Sequence, residues 1–63
     1  MKILKSLREK KKITQEQLAN ELGVDRSTVA KWETTELFPR AETMLKISRL
    51  LECNIEVLFL SEE

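Results

Sequence analysis

Gly23 is the only glycine in this chain, and its position restricts the fold more than any other residue does. It follows Leu22 at the end of a segment with helical spacing of apolar residues, and it precedes Asp25, a residue type that favours helix starts. Glycine readily takes the left-handed conformation in which many helices end. Pro39 is the only proline, so the chain has little material for the turns of a sheet, and an all-α fold is predicted.

Apolar residues that recur every three or four positions predict two helices before the glycine and one after it. The first covers roughly residues 2–11. The second starts after Thr14, which can form a capping box with Gln17. The third is predicted to be capped by Asp25 and to run to about Thr34. The apolar residues assigned to the buried faces are Ile3, Leu4, Leu7, Leu18, Ala19, Leu22, Val29 and Trp32.

Two further helices are predicted after a loop over residues 35–40. The fourth starts near Ala41, and a short fifth helix or turn starts after Asn54, a second capping residue. A chain of 63 residues can enclose one small core, so residues 1–63 are predicted to form a single domain. The face assigned to the fourth helix comprises Ala41, Met44, Leu45, Ile47, Ser48 and Leu51, and the fifth contains Ile55, Leu58 and Phe59.

Composition excludes several classes of protein. Apolar residues make up 41% of the chain and charged residues 35%, a balance typical of folded proteins. No apolar run is long enough to cross a membrane and the first residues do not form a secretory signal, so a cytoplasmic location is expected. With Cys53 as the single cysteine and no histidine, we expect no metal and no cofactor. No nucleophile stands beside a base and no pocket for a small molecule is indicated, so an enzyme is not expected.

The charge is distributed unevenly along the chain. Net charge is zero, which by itself counts against nucleic acid as a partner. However, residues 1–40 carry nine lysines and arginines against six acidic residues, whereas residues 41–63 carry two against five. A basic surface on the first part of the molecule is therefore possible, and so is a mixed, merely solvated surface.

The two capped helices on either side of Gly23 have the arrangement of a helix-turn-helix, whose second helix enters the major groove of DNA. Any small helical bundle can show the same caps. The sequence, however, resembles the phage repressor, Cro and XRE-type helix-turn-helix family from about residue 3 to 59. The segments that carry the resemblance are Leu7-Arg8-Glu9, Ile13-Thr14-Gln15-Glu16-Gln17-Leu18-Ala19, Leu22-Gly23-Val24, Ser27-Thr28-Val29-Ala30-Lys31-Trp32-Glu33, Pro39 and Leu50-Leu51.

The resemblance implies a lambda-repressor-like bundle of five helices that binds inverted-repeat operators in duplex DNA as a homodimer. It also implies that Gln15 holds a phosphate at the start of the second helix, and that Arg8 and Glu33 form an internal ion pair. Three residues depart from the family pattern. Thr35 and Glu52 stand where glycine is usual, and Glu36 puts a negative charge in a loop that often faces phosphate. Thr35 therefore predicts a different or strained backbone after the third helix.

The third helix presents the residues that can read bases. Arg26, Ser27 and Lys31 share its outward face near the start, and arginine or lysine there can pair with guanine. Thr28 is a weaker candidate for a thymine methyl group or a phosphate. Simpler interpretations are a solvent-exposed charge for Lys31 and a phosphate contact for Arg26. Weaker phosphate candidates follow the helix, at Thr34, Thr35 and Arg40, while the acidic Glu36 in the same loop opposes phosphate.

Apolar residues outside the main helical faces suggest a dimer interface, which consists of Leu37, Phe38, Val57, Phe59 and Leu60. The alternative is that Phe38, Leu58 and Phe59 only complete the core of the monomer. The predicted function is a DNA-binding transcriptional regulator, acting as a repressor. The alternative function is a protein-protein interaction module of the antitoxin or anti-repressor type, with weak or no DNA binding.

Overall fold

A computed structural model describes residues 1–60 of the chain and the side chains of residues 1–59. It contains five α-helices in this range, and the predicted all-α fold is confirmed. The helices are α1 (Lys2–Lys10), α2 (Gln15–Leu22), α3 (Arg26–Thr34), α4 (Ala41–Leu50) and α5 (Ile55–Leu60). The helix-turn-helix consists of α2 and α3, which pack on each other, and α1 packs against α3.

The five helices enclose one apolar core. Most residues that the helical spacing assigned to buried faces lie in it or pack against it. Ala41 is an exception because it is exposed, and so is Leu45, with 46% of its surface exposed. Leu45 follows Met44 by one position, so on a helix it points about 100° away from the buried face. The buried apolar residues are Met1, Leu4, Leu18, Ala19, Leu22, Val29, Trp32, Met44, Ile47, Leu51 and Leu58.

Local hydrogen bonds define the ends of α2. The Thr14 hydroxyl accepts from the Gln17 amide at 3.0 Å, and the Gln17 side chain accepts from the Thr14 amide at 2.8 Å, so the predicted capping box is present. Gly23 ends the helix with φ of 73°, in the left-handed conformation that the sequence predicted. The predicted cap of α3 is only half right. Asp25 occupies the N-cap position, but its side chain makes no capping hydrogen bond.

Two other turns place a non-glycine residue in the left-handed region, at Lys12 with φ of 60° and at Glu52 with φ of 54°. Glu52 thus keeps the backbone that the family's glycine would have, and its carboxylate accepts a hydrogen bond of 2.6 Å from Lys11. Thr35 differs. Its φ of −126° is extended, so the strain expected at this position is absent.

No helix within residues 1–60 is both long enough and apolar enough to cross a membrane.

Candidate nucleic-acid interface

The helix α3 has one buried and one open face. Val29, Trp32 and Glu33 point into the molecule, so Trp32 is a core residue and not a stacking platform for bases. Arg26, Ser27 and Lys31 are exposed and Thr28 is half-buried, so the chain itself does not cover the residues that the sequence proposed for base contact. On the open face, the short side chains of Ser27 and Thr28 lie between the cations Arg26 and Lys31. This arrangement allows the helix to approach the edges of base pairs.

Beneath the open face lies the ion pair between α1 and α3. Arg8 Nε donates to Glu33 Oε2 at 2.7 Å, and Arg8 Nη2 donates to Glu33 Oε1 at 3.2 Å. The guanidinium therefore binds the carboxylate through two parallel hydrogen bonds. The two residues are only 7% and 6% exposed. The hydrogen bond to Glu33 raises the pKa of Arg8. Arg8 Nη1 also donates to the Ile13 carbonyl at 2.8 Å, which ties the pair to the turn before α2.

Gln15, the first residue of α2, joins this ion pair to the open face. Its Nε2 donates to Glu33 Oε1 at 3.0 Å, and its Oε1 accepts from Arg26 Nη1 at 3.2 Å. Four side chains are thereby connected, and we name this network the Arg8–Arg26 chain. The sequence analysis named all four residues, with Arg26 as a base contact and, from the family resemblance, Gln15 as a phosphate contact and Arg8 with Glu33 as a structural ion pair. It missed the two hydrogen bonds of Gln15. No local spacing signals a contact across 18 residues of sequence.

Hydroxyl groups and the amino terminus satisfy the carbonyls at the end of α3. Thr34 Oγ1 donates to the Ala30 carbonyl at 2.9 Å, and Thr35 Oγ1 donates to the Lys31 carbonyl at 2.6 Å. The Met1 ammonium donates to the carbonyls of Trp32, at 2.7 Å, and Thr35. Both threonine hydroxyl hydrogens are therefore used within the chain, and a hydroxyl that donates to phosphate must first turn outward. Arg40 is exposed at the end of the loop, where it is the N-cap residue of α4.

An apolar patch lies apart from the open face of α3. Phe38 in the loop stacks on Phe59 of α5, with ring centroids 5.9 Å apart and planes 5° from parallel. Phe38 is 39% exposed and Phe59 is 47% exposed, so these two residues do not simply complete the core. Leu58, which lies between Val57 and Phe59 on α5, is fully buried. Leu37 and Val57 are exposed as well. The side chain of Leu60, the last residue assigned to a dimer interface, lies outside the described residues.

No group of three or more His, Cys, Asp or Glu within residues 1–60 could hold a metal ion. The free thiol of Cys53 is half-buried, and burial raises its pKa. Its neutral form is therefore favoured, which makes it a packed residue and not an activated nucleophile.

Comparison with known proteins agrees with this geometry. A helix-turn-helix family model matches residues 4–58. The chain belongs to the helix-turn-helix family. The resemblance to phage repressor, Cro and XRE-type proteins is thereby confirmed.

Three curated relatives of this helix-turn-helix chain are named as regulators. The HTH-type transcriptional activator BcrR of Enterococcus faecalis is 40% identical over 60 residues, which are 95% of this chain and 29% of that protein. The uncharacterized HTH-type transcriptional regulator YqaE of Bacillus subtilis is 32% identical over 94% of this chain and 51% of its own length. An uncharacterized HTH-type transcriptional regulator of Archaeoglobus fulgidus is 35% identical, over 95% of this chain and 84% of its own length. No solved structure gives a significant match.

The chain spans less than a third of BcrR and about half of YqaE. The similarity therefore covers only part of each of those two proteins.

Proposed function

We propose that this helix-turn-helix chain binds duplex DNA through α3 and regulates transcription. The observation that carries the proposal is the open polar face of α3, with Arg26 and Lys31 exposed on it, held beside the start of α2 by the Arg8–Arg26 chain. Relatives named as transcriptional regulators across nearly the whole chain support it. No enzymatic activity, cofactor or metal forms part of the proposal.

Each exposed residue receives a role that fits its chemistry. Arg26 and Lys31 donate to guanine, because their charged donors match the O6 and N7 acceptors of that base. Ser27 and Thr28 lie between them and contact base edges or a thymine methyl group. Gln15 meets a phosphate at the start of α2, where the free amides and the helix dipole favour an anion. Thr34, Thr35 and Arg40 are further phosphate contacts in the proposal.

We also propose that the chain acts as a homodimer on an inverted repeat, in the cytoplasm. A single recognition helix covers few base pairs, whereas two helices about 34 Å apart read two half-sites. The stacked rings of Phe38 and Phe59, together with exposed Leu37 and Val57, supply an apolar surface on the described part of the chain that a second copy can cover. We propose that binding represses transcription. The alternative is activation, because the Enterococcus faecalis relative is named an activator. Expression from a reporter gene fused to the bound promoter, measured with and without this protein, distinguishes the two outcomes.

Selection of bound sites from a random duplex library tests the proposal. We expect one enriched sequence with a guanine in each half-site. In Arg26→Met, preference for that guanine falls by about 5-fold to 100-fold, the range for one bidentate base contact, while other positions keep theirs. The control is Arg49→Met, an exposed arginine on α4. Failure of the wild-type protein to enrich any sequence contradicts the proposal.

A second candidate function, a protein-protein interaction module, is favoured by the zero net charge, by exposed Glu36 and by the exposed aromatic stack. A salt titration with random duplex separates the two functions. Each phosphate contact contributes about −0.9 to the slope of log affinity against log salt, so a DNA-binding chain shows a steep slope. A protein-protein module shows no duplex affinity at low salt.

A further inference from the structure

We infer that the free α-amino group of Met1 holds the carboxyl-terminal end of α3 in place, and that one acyl group on this nitrogen weakens DNA binding. The inference rests on the proposed function and deepens it, because it makes the proposed DNA-binding face depend on a group outside the helix-turn-helix. It starts from two hydrogen bonds, in which the Met1 ammonium donates to the Trp32 carbonyl at 2.7 Å and to the Thr35 carbonyl.

The first step compares the ends of α2 and α3. The last carbonyls of a helix have no partner within it, and a left-handed residue after the helix turns backbone N–H groups back towards them. The helix α2 ends in this way, because Gly23 is left-handed and the backbone N–H groups after the helix donate to carbonyls of its last turn. Thr35, which follows α3, is extended with φ of −126°, so α3 does not end in this way. The Met1 ammonium supplies donors instead.

The second step concerns the chemistry of the Met1 nitrogen. An ammonium has three N–H donors and a positive charge, which the negative end of a helix dipole favours. An acylated nitrogen is uncharged and has one N–H, so it can keep at most one of the two hydrogen bonds. The acyl oxygen also brings a further acceptor to a place that two carbonyl acceptors already occupy. Acylation therefore removes the charge and at least one hydrogen bond from the end of α3.

The third step concerns the rest of Met1, which keeps the nitrogen at this position. Its side chain is 2% exposed and lies in the apolar core together with Leu4 and Trp32. Its carbonyl accepts from the Leu4 amide at 3.2 Å, at the start of α1. A simple displacement of Met1 cannot accommodate an acyl group, because it would break core contacts and the first turn of α1.

The fourth step connects this contact to the proposed DNA-binding face. Lys31, a proposed base contact, directly precedes Trp32, and the loop with the proposed phosphate contacts begins at Thr35. Arg26 lies at the opposite end of α3. Loss of the Met1 contact should therefore disturb the position of Lys31 more than the position of Arg26.

The first test uses two isomeric full-length chains made by chemical synthesis, one acetylated on the Met1 nitrogen and the other on Lys2 Nζ. Lys2 is exposed, so this control carries the same group and loses the same charge one residue away. The readout is hydrogen exchange of the Thr35 amide, which donates to the Lys31 carbonyl at 2.9 Å. We expect exchange about 2-fold to 10-fold faster than in the unmodified chain when Met1 is acetylated, the effect of one lost hydrogen bond, and no change in the control. Equal exchange in the two acetylated chains overturns the inference.

A second background keeps the test decisive if acetylation of Met1 strongly destabilises the fold. Thr35→Gly allows the left-handed conformation after α3, so backbone N–H groups can replace the Met1 donors. We expect acetylation of Met1 to lower the melting temperature less in Thr35→Gly than in the wild type. Acetylation of Lys2 should have the same small effect in both backgrounds. A loss from Met1 acetylation that is equal in the two backgrounds overturns the capping role, since it then comes from added bulk in the core.

The third test measures binding to the selected duplex, and to duplexes mismatched at the base whose preference is lost in Lys31→Met or in Arg26→Met. We expect acetylation of Met1 to weaken binding to the selected duplex about 2-fold to 10-fold more than acetylation of Lys2 does. Discrimination at the Lys31 base should fall, while discrimination at the Arg26 base is kept. Equal affinities of the two acetylated chains, or an equal loss of discrimination at both bases, overturns the link between Met1 and DNA binding.

The mature protein provides a last check. Mass spectrometry of the protein purified from its natural source should find the Met1 nitrogen unmodified. An acyl group or additional residues on this nitrogen overturn the inference. Absence of binding by the unmodified chain to any duplex overturns the proposed function itself, and the hydrogen-exchange result is independent of that outcome.

Discussion

Among single residues, Arg8 and Glu33 are expected to have a large effect on stability. Glu33 is buried and accepts from both Arg8 and Gln15, so all of its interactions depend on neighbours within the chain. A buried ion pair gives little net stability over an apolar pair, but removing one partner leaves a charge uncompensated. Its value in this fold is that it connects α1 to α3 directly beneath the proposed DNA-binding face.

Single substitutions in this pair should therefore be worse than the double substitution. We expect Glu33→Leu to lower the free energy of unfolding by about 3–5 kcal/mol, since Arg8 then stays buried without its partner. In Arg8→Met/Glu33→Leu no charge is stranded, and the loss should be smaller than in Glu33→Leu. Urea denaturation followed by circular dichroism measures the wild type, Arg8→Met, Glu33→Leu and the double variant. A double variant whose loss equals the sum of both single losses contradicts this account.

The ion pair between Lys11 and Glu52 lies on the surface and predicts a dependence on pH. The hydrogen bond from Lys11 holds the pKa of Glu52 below its usual value. The resulting stability is fully present above the pKa of Glu52 in the unfolded chain, and it is lost as pH falls through the lower folded-state pKa.

Lys11→Met should accordingly melt at a lower temperature than the wild type at neutral pH, by a small margin because exposed pairs are weak. The difference should close as the solution is made acidic enough to protonate Glu52. Lys10→Met, which removes the neighbouring exposed lysine at the last position of α1, serves as control. The interpretation fails if the difference in melting temperature is the same at acidic and neutral pH.

At the scale of the helices and turns, three left-handed residues determine how consecutive helices meet, at Lys12, Gly23 and Glu52. A Cβ added at Gly23 would have no atom within 4 Å, so a substitution there costs backbone strain alone. We expect Gly23→Ala to lose about 1 kcal/mol of unfolding free energy, and Lys12→Gly to gain up to about the same amount by relief of strain. Chemical denaturation measures both, and a neutral Gly23→Ala contradicts the argument.

Helix boundaries and turns could be predicted from the sequence because they depend on neighbouring residues. The capping box of Thr14 and Gln17 and the left-handed Gly23 are formed within a few positions of the chain. The end of α3 could not be predicted in this way. Thr35 avoids the left-handed region. The Met1 ammonium donates to the carbonyls of Trp32 and Thr35, which are 31 and 34 positions away in the sequence, and no local pattern signals such a contact.

The same division applies to the candidate site. The outward face of α3 follows from helical spacing, since Val29 and Trp32 must be buried and Arg26 then points outward. The pairing of Arg8 with Glu33 came from the family resemblance and not from spacing. The hydrogen bonds of Gln15 came from neither, because they depend on how α2 packs across α3.

For the whole molecule, the aromatic stack of Phe38 and Phe59 is the described surface that a second copy is proposed to cover. We expect Phe59→Lys to abolish dimers in sedimentation experiments and to weaken binding to a two-half-site operator, while a single half-site is bound as before. Leu45→Lys, an exposed apolar position on α4, is the matched control. A wild-type protein that sediments as a monomer at all concentrations removes the dimer proposal.

The most direct measurement of the central claim is a map of amide chemical-shift changes when the protein binds a selected duplex. If α3 enters the groove, the largest changes fall on residues 14–17 at the start of α2 and residues 25–31 of α3, with small changes around Phe38 and Phe59. Changes confined to the aromatic stack, or no change at any concentration of duplex at low salt, would contradict the claim that the open face of α3 binds DNA.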